Sequence, residues 1–482
     1  MLVKELLNGY NGEFADVDVE NVTCNSKSAR ENTAFVCIDG ASVDGHKFAP
    51  DAVENGASII VCERDLGLDN QIVVEDTRKA FAVMSSNFFG NPSKKLKLVG
   101  VTGTNGKTSV TYMLKSVLER AGHKVGVIGT IQNMIGDKVV DSHNTTPGPY
   151  ELNELFAKMV EDGCDYAVME VSSHALDQDR VYGLRFEVAI FTNLTQDHLD
   201  YHKTMDNYLA AKKKLFKMCN TAVINKNDAY SERLMEGLTC KIVTYSDMND
   251  STFSAKGINY RPDSVSYELV GDNFINHISV KTGGRFTVFN SMSVAVAALE
   301  LGIDISDIAE GLSSIKGVKG RAEVVPTGRD FTIIIDYAHT PDGLKNILST
   351  FKECEKNRLI VLFGCGGDRD KTKRPIMGDI AVRNADFVIV TSDNPRTEDP
   401  SQIINDILEG TEGAAVPVKV IENRIEAIKY AVSIAQKDDI IVLAGKGHET
   451  YQILKSGTIH LDEREVVADA LGITKKGGDN NE

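Results

Sequence analysis

A mixed α/β fold in three domains is what this sequence predicts, and three observations carry that reading. Its 482 residues, at roughly 150 per domain, amount to about three domains. From Leu96 onward, apolar runs of strand length alternate with longer amphipathic stretches, the pattern of parallel sheets covered by helices. Each such run ends in a polar, glycine-bearing or acidic cluster, which is where open α/β sheets place their ligands. Boundaries fall at the turn-forming run Asn91 to Lys95 and at the glycine- and charge-rich run Lys316 to Arg321. The expected pieces are therefore 1–93, a small α/β domain; 94–318, a central domain with a mostly parallel sheet; and 319–482, a Rossmann-like α/β domain.

Subtracting 69 acidic from 53 basic residues gives a net charge of −16, which disfavours nucleic acid and anionic membrane as partners. No apolar run reaches the ~18 residues of a membrane span, and the start, MLVKELLNGYNGEF, is charged where a signal peptide needs an apolar stretch. The expectation is a cytoplasmic monomer. Eight cysteines are scattered without a CxxC pair or Cys/His ligand spacing, so they read as reduced thiols.

The strand LKLVGV is followed by TGTNGKTS (Thr102 to Ser109), then by a helix whose apolar residues Val110, Met113, Leu114, Val117, Leu118 and Ala121 recur at helical spacing before Gly122. A glycine-rich turn between strand and helix aims backbone N–H groups and a helix dipole at phosphate. Lys107 then reaches terminal phosphates and the Thr108 hydroxyl suits Mg²⁺. The usual GxxxxGK spacing would place glycine at position 101, where this chain has Val101, so the loop is a shortened variant. It resembles the loop of the Mur ligase superfamily, the ATP-dependent amide-forming ligases of peptidoglycan synthesis and their folylpolyglutamate synthase relatives. That resemblance implies ATP as co-substrate, bound by Gly103, Thr104, Asn105, Gly106, Lys107, Thr108 and Ser109, and Mg²⁺ as cofactor.

Two further strands, YAVMEV and FEVAIFT, end at Glu170 and shortly before His198. Carboxylate and hydroxyl oxygens suit Mg²⁺, which points to Glu170 with Thr108. An imidazole is chemically less expected there, and His198 is a metal ligand only by the resemblance. In YLAAKKKLF, Tyr208, Lys212 and Phe216 share one helical face. Read by itself, Lys212-Lys213-Lys214 is a solvated basic face. The segment is similar to the one whose lysine the family carbamylates, which implies Lys212 as an N6-carboxylysine.

Beyond the second boundary the strands FTIIID, RLIVLFG, DFVIVTS and DIIVLAG carry the remaining clusters. GRAE and DYAHTPDGL resemble the family's linker arginine, here Arg321, and the acidic strand end near the nucleotide ribose, here Asp336. Arg321 is suited to phosphoryl charge. GGRFTVFNSMSVAVA is similar to the family's GxFNxxNxxAA segment, with Thr287 at the first Asn position and Ser293-Val294 for Ala-Ala; Asn290 matches the second Asn and is the implied nucleotide contact.

The segments HNTTPGP and SSHALDQDR resemble those that hold the UDP-N-acetylmuramoyl peptide, implying Thr145, Thr146, Ser172, Gln178 and Arg180 as contacts, with Arg180 suited to an anionic group. In the first piece, Ser26 matches the uridine contact, within Asn25-Ser26-Lys27 where the family has Asp-Ser-Arg. TSDNPRTEDP contains Asp393-Asn394-Pro395-Arg396, similar to the DNPR motif of family members that add meso-diaminopimelate. The chemistry agrees: diaminopimelate differs from lysine by a second carboxylate, which an arginine fork reads well. GCGGDRDKTKRP and AGKGHE carry Arg369, Gly445 and Glu449 to the same pocket, with Glu449 facing an ammonium.

The resemblance runs from about residue 23 to 465. It implies an ADP-forming ligase joining meso-2,6-diaminopimelate to UDP-N-acetylmuramoyl-L-alanyl-D-glutamate through an acyl phosphate, with Lys107 and Arg321 as catalytic residues. The alternatives are a lysine-adding ligase, more remotely a folylpolyglutamate synthase, and, from another class, a nucleotide-dependent switch that forms no amide bond.

Overall fold

In the computed structural model the described residues are 1–473, apart from 11–15, 41–42, 143, 249, 262, 273, 316, 353 and 355–356. Lys316, at the second sequence boundary, lies outside them. The chain forms two compact units: Met1–Ser246 with Asp250–Thr252 and Ser293–Ile308, and Asp247–Asn249 with Phe253–Met292 and Ala309–Glu482.

The first unit begins with a four-stranded parallel sheet, β1 (Asn21–Thr23), β2 (Thr33–Val36), β3 (Ala57–Cys62) and β4 (Gln71–Val73), in that order. Its larger sheet uses β5 (Lys97–Thr102), β6 (Val125–Ile128), β7 (Asn133–Ile135), β8 (Lys138–Val140), β9 (Tyr166–Glu170), β10 (Phe186–Phe191), β11 (Cys219–Asn225) and β12 (Lys241–Ser246). The order is β12-β11-β10-β5-β9-β6-β7-β8, parallel except for the β6-β7-β8 meander. β9 is buried along its whole length and β10 at every residue but Glu187, as expected for strands covered on both faces. The helix Lys107–Arg120 buries Val110, Met113, Leu114, Val117 and Leu118 and ends before Gly122, whose φ of 85° relieves the left-handed turn.

In the second unit, β13 (Phe253–Tyr260), β14 (Val265–Gly271) and β15 (Phe274–Val280) form an antiparallel meander. A second sheet runs in the order β16 (Glu323–Val325), β17 (Thr332–Asp336), β21 (Ile440–Ala444), β18 (Leu359–Phe363), β19 (Phe387–Val390), β20 (Val418–Val420), and only the β16 edge is antiparallel. A hairpin, β22 (Tyr451–Leu454) and β23 (Gly457–His460), follows. Separate apolar layers cover the two faces of this sheet, one around Leu348, Phe351 and Met377 and the other around Ile428, Ala431 and Val467. All seven strands read from the sequence are present. β6, β11, β12 and the meander were not among them.

Candidate active site

In the first unit, β5 delivers the chain to a loop that only glycine can make. Gly103 has φ of 154° and Gly106 φ of 88°, and a Cβ at Gly103 would collide with Thr192 Oγ1. The end of β10 pins the loop. Thr104 N donates to Asn193 O and Asn105 N to Asn193 Oδ1, both at 2.9 Å, while Thr192 Oγ1 donates to Asn105 O at 2.6 Å. Lys107 and Thr108 open the following helix, with Ser109 in its first turn. The Lys107 ammonium donates to Gly103 O and Thr104 O, each at 2.8 Å.

Glu170, buried at the end of β9, ties three segments together. Its Oε1 accepts from Thr108 Oγ1 and Thr130 N at 2.9 Å, and its Oε2 accepts from Thr130 Oγ1 at 3.1 Å. These are hard oxygen donors beside a phosphate loop, a set that fits Mg²⁺ when completed by phosphate oxygens. No group of three His, Cys, Asp or Glu side chains arranged to hold a metal occurs among the described residues.

The reading of Lys212 as part of a solvated basic face is corrected by the structure. The helix Met205–Phe216, capped by Thr204, turns Tyr208, Lys212 and Phe216 inward. Lys213 and Lys214 are half-buried at its edge and donate to Arg233 O and Leu176 O. Lys212 Nζ donates to Gly103 O at 2.8 Å, the same carbonyl that Lys107 uses, and lies 4.5 Å from the centre of the Tyr208 ring. Burial, reinforced by the Lys107 charge, pushes its pKa well below the ordinary lysine value. The Tyr208 hydroxyl lies 3.3 Å from Thr104 Oγ1, which links this helix to the phosphate loop.

His198 adopts a left-handed conformation with φ of 54° and lies 3.5 Å from Asp197 Oδ2. Its ring meets those of His174 at 4.9 Å and Tyr208 at 6.1 Å, so it belongs to the surroundings of Lys212. Burial lowers the pKa of both His198 and His174. His202, stacked on Tyr208 and 2.9 Å from Ser173 Oγ, is held down at about 4, first by burial.

The residues matched to the UDP-sugar peptide form one connected network. Thr146 Oγ1 donates to Glu170 O at 2.9 Å and accepts from Ser172 N at 3.0 Å. Arg180 donates to Thr146 O at 2.9 Å and, through Nε and Nη2, to Gln178 Oε1 at 3.1 and 2.8 Å. Thr145 Oγ1 lies 2.9 Å from Thr130 Oγ1, which joins the network to Glu170. Ser26 sits apart from it, half-buried in the short helical turn Ser26–Ser28.

In the second unit, Asp336 closes β17 with both oxygens committed to backbone, accepting from Ala322 N at 2.7 Å and Ala338 N at 2.8 Å. Burial raises its pKa. Its carboxylate therefore shapes the Arg321 turn, and the Arg321 guanidinium lies 5.0 Å from the centre of the Tyr337 ring. Asn290 is buried within the helix Arg285–Glu300.

Strand ends of the same sheet carry the remaining candidate residues. After β19 come Asp393, Asn394, Pro395 and Arg396; after β21 come Gly445 and Glu449. Gly445, at φ of 115°, has no room for a Cβ beside Asp393 Oδ2. A fully buried lysine, Lys446, joins the strand ends: its Nζ donates to Asn394 Oδ1 at 2.5 Å, Tyr451 O at 2.7 Å and Glu449 Oε2 at 3.1 Å. Glu449, expected to face an ammonium of the amino-acid substrate, pairs in the structure with the Lys446 ammonium. Arg396 takes φ of 54° and donates through Nη1 to Gly367 O at 2.8 Å. Arg369 is exposed and donates to Asp368 O at 2.9 Å. A Cβ at Gly366 would lie 2.9 Å from Arg396 Nη1 and 4.0 Å from Arg369 Cγ, so the two arginines flank one glycine.

Three family profiles match the chain: "Mur ligase family, catalytic domain" at residues 18–91, "Mur ligase middle domain" at 101–298, and "Mur ligase, glutamate ligase domain" at 320–447. The chain belongs to the Mur ligase family. Among its relatives, a UDP-N-acetylmuramoyl-L-alanyl-D-glutamate--2,6-diaminopimelate ligase 1 of Clostridium acetobutylicum is 49% identical over 95% of each chain. The ligase of the same name, without the numeral, from Caldanaerobacter subterraneus is 48% identical over 99% of this chain and 100% of the relative. A solved structure of a ligase so named aligns with TM-score 0.73 and 31% identity, covering 98% of this chain and 99% of that one. The MurF ligase of Thermotoga maritima in complex with ADP, 18% identical at TM-score 0.61 over 95% of this chain and 98% of that one, shares the fold.

Several residues of this Mur ligase that complete the site were not legible beforehand. Thr130 follows β6, a strand too short to stand out between its glycines. Asn193 follows Thr192 at the end of β10 and offered no motif. Lys446 sits inside AGKGHE, where a lysine between two glycines reads as exposed; only the fold shows that it is buried.

Proposed function

We propose that this protein is an ATP-dependent ligase that joins meso-2,6-diaminopimelate to UDP-N-acetylmuramoyl-L-alanyl-D-glutamate in peptidoglycan precursor synthesis, acting as a monomer in the cytoplasm. The observation that carries this reading is the cluster of charged side chains at the ends of β18, β19 and β21. Arg396 and Arg369 flank Gly366 there, and the acidic residues Asp393 and Glu449 stand on the adjoining strand ends. That combination suits an amino acid bearing a second carboxylate next to an ammonium. The names of relatives at 48–49% identity support it, and no helix among the described residues is long and apolar enough to cross a membrane.

The division proposed is residues 1–93 for the uridine end, with Ser26; 94–318 for ATP and the sugar peptide; and 319–482 for diaminopimelate. In the reaction, the side-chain carboxylate of the D-glutamyl residue attacks the γ-phosphorus of ATP, giving an acyl phosphate and ADP. The diaminopimelate amine attacks the acyl carbon, phosphate leaves, the amine loses its proton, and an amide remains. Lys107 and the loop amides hold the phosphates, Arg321 takes up phosphoryl charge, and Asn290 and Asp336 belong to the nucleotide's surroundings. Thr108 and Glu170, with His198, would hold Mg²⁺, which supplies charge neutralisation to the phosphoryl group. Thr145, Thr146, Ser172, Gln178 and Arg180 orient the peptide, and Lys212 is the proposed carboxylation site.

The test is phosphate release with ATP, Mg²⁺ and UDP-N-acetylmuramoyl-L-Ala-D-Glu, comparing diaminopimelate, lysine and no amino acid. Release that requires diaminopimelate is expected. Equal rates with lysine would remove the role given to Arg396, and release independent of any amino acid would remove the ligase reading. As a companion, Arg396→Ala should raise KM for diaminopimelate by about a hundredfold, the loss of a charge-assisted pair of hydrogen bonds, while KM for ATP stays unchanged.

A further inference from the structure

Next to the strand ends proposed to hold the amino acid lies a pair of charges that the proposed reaction does not use. Arg424 opens the helix Arg424–Ser433 and Glu463 opens the helix Glu463–Ala470, and both side chains are 0% exposed. Arg424 Nε and Nη2 lie 2.9 and 2.8 Å from the same oxygen, Glu463 Oε1. The other oxygen, Oε2, has no hydrogen-bond partner among the described residues, and burial raises the Glu463 pKa. As a stabilising device this is a poor one. Two charges have been taken out of water and one carboxylate oxygen is left unsatisfied, an arrangement that apolar residues of similar volume replace at little or no loss of stability.

What the pair contacts is more informative. Arg424 Nη2 donates to Ala444 O at 2.8 Å, and Nη1 lies 3.5 Å from Ser392 O. Ala444 directly precedes Gly445, and Ser392 directly precedes Asp393. The guanidinium thus holds the last carbonyl before each of the two loops that build the pocket. These loops tolerate little displacement, because Gly445 already leaves no room for a Cβ against Asp393 Oδ2. On their far side Lys446 fastens Asn394 to Glu449. Glu463 in turn anchors the arginine head, so that its fork meets both carbonyls.

We infer that Arg424 and Glu463 are positioning residues for the amino-acid pocket: together they set the separation between the loop carrying Asp393 to Arg396 and the loop carrying Gly445 to Glu449. The inference rests on the proposed function for what the pocket binds. It assigns the pair to affinity for diaminopimelate and leaves ATP and the UDP substrate to other residues.

The test compares the full-length wild type with Arg424→Lys, which keeps the charge but loses the fork, and with the double variant Arg424→Met/Glu463→Leu, which removes both charges. Expected in both variants is a rise of about tenfold in KM for diaminopimelate, the worth of one or two positioned hydrogen bonds. KM for ATP and for the UDP substrate should stay unchanged, and the double variant should melt no lower than wild type. An unchanged KM for diaminopimelate, or a rise shared by all three substrates, would overturn the inference and leave the proposed function standing. Should the double variant not fold, Arg424→Lys decides by the same criterion. Absence of diaminopimelate-dependent release in the wild type would overturn the proposed function, and the inference with it.

Discussion

Burial and a neighbouring ammonium both disfavour the protonated form of an amine, and Lys212 meets both conditions. Neutrality matters because only the unprotonated amine attacks carbon dioxide to give a carbamate. The structure thus supplies the chemical prerequisite for the proposed N-carboxylation, which no motif can. The direction is clear: a pKa well below the ordinary lysine value leaves a larger fraction of Lys212 unprotonated than in an ordinary lysine, whose reference value is about 10.4. With ¹³C-bicarbonate, wild type should show a carbamate resonance that Lys212→Arg lacks, because a guanidinium stays protonated. The variant should lose about a hundredfold in kcat, the scale seen when one charge-stabilising group is removed from an active site. A labelled spectrum identical in the two proteins would end the assignment.

At the scale of elements, the decisive unit is a strand, a glycine turn and a helix, held from the side by a neighbouring strand end. Thr192 and Asn193, after β10, hold the phosphate loop through four hydrogen bonds, and Gly103 leaves no space for a side chain at that contact. Gly103→Ala is therefore expected to displace the loop backbone and lower kcat/KM for ATP by about a hundredfold, as misplacement by about an ångström does, with KM for diaminopimelate unaffected. Retained nucleotide kinetics would show that the loop tolerates the displacement. Much of this element was legible beforehand, since a buried parallel strand is a continuous apolar run and the helix after it has a 3.6-residue period. Less legible were β6 and β12, one only four residues long between glycines and the other exposed at Lys241 and Ile242. For a related reason the residues alone make Lys212 look solvated: three consecutive lysines read as an exposed face unless tertiary packing buries one of them. Lys446 and Arg424 are not legible in the sequence because their burial also depends on distant partners, Asn394 for the one and Ala444 and Glu463 for the other, and single-chain periodicity carries no record of such partners.

For the whole molecule, charge and division into units make separate claims. The net charge of −16 coexists with cations at the proposed substrate positions, Lys107, Arg180, Arg321, Arg369 and Arg396, so an acidic surface and anionic substrates are compatible when the cations are local. The two compact units each have their own apolar core, one centred on β5, β9 and β10 and the other on β17, β18 and β21. Units with independent cores unfold as separate transitions unless they are strongly coupled, and a ligand stabilises the unit that binds it. The phosphate loop lies in the first unit and the Asp393 to Glu449 pocket in the second. Calorimetry of the intact chain should therefore resolve two transitions. ADP with Mg²⁺ should raise the first, and diaminopimelate alone should raise only the second, each by about 2.7 kcal/mol of stability at a hundredfold excess over Kd. Proteolysis at intermediate temperature, followed by mass analysis of the surviving fragments, would identify which transition belongs to which residues. A shift of the first transition by diaminopimelate alone would contradict the placement of the amino-acid pocket in the second unit.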